Sequence, residues 1–61
     1  MNKYVVLYYI KDGEVTDVNS TQLTLHFTLS NLTLKIAERK LKKALNVEKV
    51  IILSYVLLES R

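Results

Sequence analysis

Basic side chains have the clearest chemical capacity in this chain. Lys35, Arg39, Lys42 and Lys43 are spaced so that a helix projects them from one side, with Lys40 at the flank and Lys49 just beyond. Ammonium and guanidinium groups arrayed this way neutralise phosphates and give salt-dependent, sequence-independent affinity for nucleic acid. The plainer reading is a solvated helix face, because lysine is soluble and helix-compatible and the formal net charge is only +3.

Other candidate chemistry is thinner. His26 is the only imidazole, and a catalytic histidine needs a nucleophile and an orienting carboxylate beside it. On a strand its same-face neighbours are Thr24 and Thr28, so it reads as an exposed or interfacial strand residue. Asp12, Glu14 and Asp17 lie near a turn, but a calcium site needs about six or more oxygens on a defined loop; they read as a solvated polar turn. Tyr4 and Tyr8 share a strand face, with Tyr55 a possible neighbour. Aromatic rings on an open sheet can stack bases, yet the aromatic-glycine signature of an RNA-recognition motif is missing, and tyrosine is equally suited to a core or an interface. One glycine and no cysteine exclude Gly-rich phosphate loops, nucleophile elbows, thiolate metal sites and disulfides. The expectation is a non-enzymatic protein with no cofactor, no metal and no small-molecule substrate.

The elements that must position these residues follow from periodicity. Residues 3–11 are rich in Val, Tyr and Ile and read as a strand apolar on both faces, with Val5, Leu7 and Tyr9 on one and Tyr4, Val6, Tyr8 and Ile10 on the other. Asp12-Gly13 predicts a type I′ hairpin turn, so a second strand returns from about residue 14. Within 22–29 the alternation is strict: Leu23, Leu25, Phe27 and Leu29 against Thr24, His26 and Thr28. Residues 14–29 form either one long strand with a bulge or loop near Asn19-Ser20, the preferred reading, or two strands of a meander. Residues 31–46 carry apolar Leu34, Ala37, Leu41, Ala44 and Leu45 at helical spacing. Ser30 or Asn31 is the expected N-cap, with Thr33 a later alternative, and Asn46 the left-handed C-cap. Residues 48–58 read as a last strand, with Val50, Ile52, Ser54, Val56 and Leu58 on one face and Ile51, Leu53, Tyr55 and Leu57 on the other.

The resulting fold class is α+β, ordered β-β-α-β: a three-stranded antiparallel sheet, spatial order 2-1-3, with one helix packed on one face. The whole chain, residues 1–61, is one small domain. The apolar runs 4–10 and 50–58 are too short for a membrane span of about 20 residues, and no export signal is read; a soluble, cytoplasmic protein is expected, with no membrane partner. Abundant Lys, Asn, Ile, Leu and Tyr suggest an A+T-rich genome, bacterial or phage. A domain of this size buries only roughly 60% of its unfolded surface and commonly needs a disulfide, a metal or a partner. One helix cannot cover both faces of an apolar sheet. The chain is therefore expected to self-associate as a homodimer, acting as a protein-binding or regulatory module, with Tyr4, Val6, Tyr8, Ile52, Val56 and Leu58 at the interface. The alternative is a nucleic-acid binder using Lys35, Arg39, Lys42 and Lys43.

Overall fold

Alternating apolar residues separated by one tight turn drive the first half of the chain into a hairpin. The computed structural model describes residues 1–60 and contains β1 (Asn2–Asp12), β2 (Val15–Leu25), α1 (Leu34–Leu45) and β3 (Lys49–Ser60). The sheet order is β2-β1-β3, and β1 is antiparallel to both neighbours. This is the α+β arrangement that the periodicities predict, with the doubly apolar strand in the middle.

The hairpin register runs without interruption from Asp12↔Val15 to Asn2↔Leu25. Its two central residues are therefore Gly13 and Glu14, one position later than the expected Asp12-Gly13. Gly13 has φ +65 and Glu14 has no positive φ, the type II′ pattern, in which glycine at the first central position absorbs the left-handed backbone. The second strand is single, and it carries no bulge at Asn19-Ser20. It also stops at Leu25, although the alternation continues to Leu29. Leu25 faces Asn2, the first residue of β1, and the ladder between the two strands ends at this pair.

Residues 26–33 therefore leave the sheet and fold over its end. Leu29 is buried and Phe27 packs against the core. The Leu29 N–H, now outside any ladder, donates to the Tyr4 hydroxyl at 3.0 Å in a buried hydrogen bond. Ser30 then organises the approach to α1: its Oγ accepts from the Leu32 N–H at 3.2 Å, and its carbonyl accepts from the Thr33 and Leu34 N–H groups. The cap position itself falls at Thr33, whose side chain makes no cap bond; its hydroxyl oxygen accepts the Ser30 N–H at 2.8 Å and its hydrogen goes to the Thr28 carbonyl at 2.7 Å. Asn46 closes the helix in the left-handed conformation, φ 55 and ψ 50, with its N–H on the Lys42 carbonyl.

The core lies between α1 and one face of the sheet. Tyr4, Val6 and Tyr8 of β1, Leu25 of β2, and Val50 and Ile52 of β3 are buried with Leu29, Ala37 and Leu41. Burying an aliphatic or aromatic side chain of this kind contributes about 1.5–3 kcal/mol. Ala44 and Leu45, placed on the apolar stripe by their spacing, are exposed.

Two register shifts break the parity of β3. Lys3 faces Glu59 but Tyr4 faces Leu57, and Leu7 faces Ser54 but Tyr8 faces Ile52. Leu58 and Leu53 are thus extra residues on β3, as in a β-bulge. Between the shifts the faces exchange: Val50 and Ile52 share the helix side with Tyr55 and Leu57, while Ile51 shares the other side with Ser54 and Val56. The Tyr4 and Tyr55 rings, 5.9 Å apart and edge-on at 77°, mark this exchange.

The Tyr4 hydroxyl is the partner of the buried Leu29 N–H, so Tyr4→Phe will cost about 1–2 kcal/mol, seen as a lower urea midpoint at unchanged slope. Tyr8→Phe, which removes no such bond, will stay within about 0.5 kcal/mol of the parent.

Candidate functional site

Two surfaces remain after the core is accounted for. The first is the face of the sheet opposite α1. Successive residues of a strand alternate between faces, so the register places Val5, Leu7 and Tyr9 of β1 there, with Val18 of β2 and Ile51 and Val56 of β3. Leu7 is 39% exposed, Val18 50% and Val56 62%. Polar residues frame them: Ser20, Gln22 and Thr24 along β2, Lys3 and Glu59 at one end, Lys11 at the other. Lys3 and Glu59 form an ion pair at 4.0 Å. An apolar centre with a polar rim is the anatomy of an interface.

This arrangement revises the expected interface. Tyr4, Val6, Tyr8 and Ile52 face the helix side of the sheet, at 0–7% exposure, and are core. Val56 is on the open face, and Leu58 sits at a register shift, half exposed. The apolar residues of the open face outside the expected set are Val5, Leu7, Tyr9, Val18 and Ile51. A signal for them was present: a two-residue turn pairs even-numbered positions of β1 with odd-numbered positions of β2. The apolar Leu23 and Leu25 therefore bring the even face of β1 into the core and leave the odd face bare.

The second surface is a groove between α1 and the start of β3, about 180 Å³ in volume and lined by Lys35, Glu38, Arg39, Lys42, Glu48, Lys49 and Val50. A neighbouring hollow shares Arg39 and Lys42 and adds Lys43, Asn46 and Val47. All four basic residues expected to act together are thus brought together, with Lys49 as a fifth. The two carboxylates in the groove are turned to backbone donors. Glu38 accepts the Ile52 N–H at 2.7 Å, and Glu48 accepts the Gly13 N–H of the hairpin turn at 2.9 Å. Among the described residues, neither forms an ion pair with the surrounding cations.

The remaining candidates are dispersed. His26 is exposed in the bend after β2. Asp17 accepts the Val18 N–H and the Asn19 side-chain amide. Among the described residues no three His, Asp or Glu side chains converge as a metal site, so Asp12, Glu14 and Asp17 are not assembled into one. No helix of the described residues is long and apolar enough to cross a membrane.

Glu38 also shields the edge of the sheet, because the Ile52 N–H points away from β1 toward the helix side chain. Glu38→Ala will speed amide exchange at Ile52 by about tenfold, the equivalent of ~1.4 kcal/mol, and leave Val6 in the central strand unchanged. Glu38→Gln keeps an acceptor and will preserve most of the protection. Equal exchange at Ile52 in all three proteins would show that the carboxylate does not guard the edge.

Comparison with protein-family models, with curated proteins and with solved structures returned no match.

Proposed function

We propose that the chain is a non-enzymatic interaction module that self-associates as a homodimer through the open face of its sheet. The observation that carries this reading is the row of apolar side chains, Val5, Leu7, Tyr9, Val18, Ile51 and Val56, on the face that α1 does not cover. In water such a surface contributes nothing to folding; buried against a partner, each large side chain contributes on the order of 1–3 kcal/mol.

The layout of the patch favours a second copy as the occupant: its centre is apolar and uncharged, and the charged residues Lys3, Lys11 and Glu59 stand at its two ends. A two-fold axis between the sheets lays the same apolar patch of each copy against the other. An isologous contact of this kind closes on itself and buries the same patch twice. The helices then form the outer layers and the sheets the inner ones.

The non-enzymatic reading is supported by how the acidic groups are used: Asp17, Glu38 and Glu48 each hold a backbone N–H, and Glu59 pairs with Lys3. The composition, rich in Lys, Asn, Ile, Leu and Tyr, supports a cytoplasmic accessory or regulatory role in a bacterium or its phage.

Sedimentation equilibrium at micromolar concentration will give twice the 7.1 kDa subunit mass. Leu7→Glu and Val56→Asp, each placing a carboxylate on the open face, will weaken association by at least about 30-fold, or ~2 kcal/mol, with the far-UV spectrum retained. A stable single-subunit mass for the unsubstituted protein at about 100 μM would overturn the proposal.

A further inference from the structure

The basic side of α1 is built against the helix's own interests. Six of the nine basic residues fall between positions 35 and 49, against two carboxylates. A helix N-terminus carries partial positive charge and favours Asp or Glu in its first turn; α1 has no acidic residue there and has Lys35 instead. Lys42 and Lys43, in the last turn, suit the dipole, but Lys35 does not, so the dipole does not explain the ridge as a whole. Arg39 stands at i+4 from Lys35 and at i−3 and i−4 from Lys42 and Lys43, all like-charge spacings that destabilise a helix. Glu38 is four residues before Lys42, the spacing that would relieve this repulsion, but its carboxylate is held by the Ile52 N–H at 2.7 Å. Glu48 is likewise held by Gly13 at 2.9 Å.

We propose that this ridge and the groove beneath it bind the phosphate backbone of nucleic acid. Lys35, Arg39 and Lys42 follow one another along about 10 Å of helix axis, and Lys49 faces them across the groove. A polymer carrying one charge per unit meets all four at once, whereas a single anion meets one or two. An anionic membrane fits less well, because insertion requires an apolar stripe on the same helix and the centre of that stripe, Ala37 and Leu41, is buried on the sheet. The ridge and the open face lie on opposite sides of the molecule, so this inference stands independently of self-association.

The test is fluorescence anisotropy of labelled 20-nucleotide single-stranded DNA, duplex DNA and single-stranded RNA, titrated with the full chain. With about four phosphates contacted, affinity for at least one of them will fall roughly 50- to 150-fold between about 50 and 200 mM salt. Arg39→Gln with Lys42→Gln removes two ridge charges; it will weaken binding about tenfold or more at about 50 mM salt and flatten the salt dependence. Lys3→Gln with Lys11→Gln removes the same net charge from the sheet, away from the ridge, and will change affinity by less than about twofold. Circular dichroism of both variants verifies that the fold is intact. No binding to any of the three at about 50 mM salt would overturn the proposal, as would equal losses in the two double variants. Equally tight binding to polyglutamate or to vesicles rich in phosphatidylserine would also overturn it, because the ridge would then recognise charge without recognising nucleic acid.

Discussion

Coverage is the constraint on which this structure depends. Strands of eleven or twelve residues make a sheet about 36 Å long, in a molecule whose longest dimension is 39 Å. The helix has twelve residues and is about 18 Å long. It can shield one face over half its length and no more. Each departure from regular geometry answers that shortage. Residues 26–33 fold back over the end that the helix does not reach, bringing Leu29 and Phe27 to the core. Tyr4 provides both a buried ring and the acceptor that this returning backbone requires. What no segment covers is the opposite face.

The same shortage accounts for the register shifts in β3. That strand is apolar on both sides over most of its length, so strict alternation would keep one set of large side chains permanently against the helix layer. By inserting Leu53 and Leu58, the strand buries Val50 and Ile52 where the helix stands, brings Tyr55 against Tyr4 beyond it, and turns Ile51 and Val56 to the open face. β-Bulges also increase local twist and make an edge less suited to pairing with another chain. β3 is an edge strand with few charges of its own, and its protection is shared between these irregularities and Glu38, which occupies the outward N–H of Ile52.

The fold was legible because its determinants are local. The Gly13 turn, the two-sided apolarity of β1 and the spacing of Leu34, Ala37 and Leu41 each specify an element, and the order β2-β1-β3 follows from putting the most apolar strand in the middle. Asn46 was legible as a C-cap because few residues other than glycine tolerate its backbone conformation. The open face was harder to read for a different reason. Its composition is visible in Val5, Leu7 and Tyr9, but β1 is apolar on both sides and alternation alone does not say which side the helix takes. The hairpin register decides it, through Leu23 and Leu25. Across β3 even that guide fails, because a bulge leaves no mark in a run as uniformly apolar as 50–58; Val56 and Ile52 share a parity in the sequence and lie on opposite faces in the fold. The termination of β2 at Leu25 was hidden for a third reason, since it depends on where the partner strand ends.

A small domain has little stability in reserve, so features that contribute none, or subtract some, need a source of compensation outside the monomer. The open face leaves several large side chains in water, and the basic ridge keeps like charges at helical contact distances. Neither is forced by the fold: polar residues at Leu7 and Val56 would keep the strands, and a glutamate at position 35 would suit the helix dipole better than lysine. The proposed binding would offset both, because a partner that engages only the folded chain stabilises it in proportion to the logarithm of its concentration over its dissociation constant. The two surfaces are also separable. The ridge is carried by the outer layer and the apolar face by the inner one, so a dimer formed through the sheets leaves both ridges in solvent, on opposite outer sides. One copy's association therefore does not obstruct the other surface, and a substitution on either side isolates its own contribution.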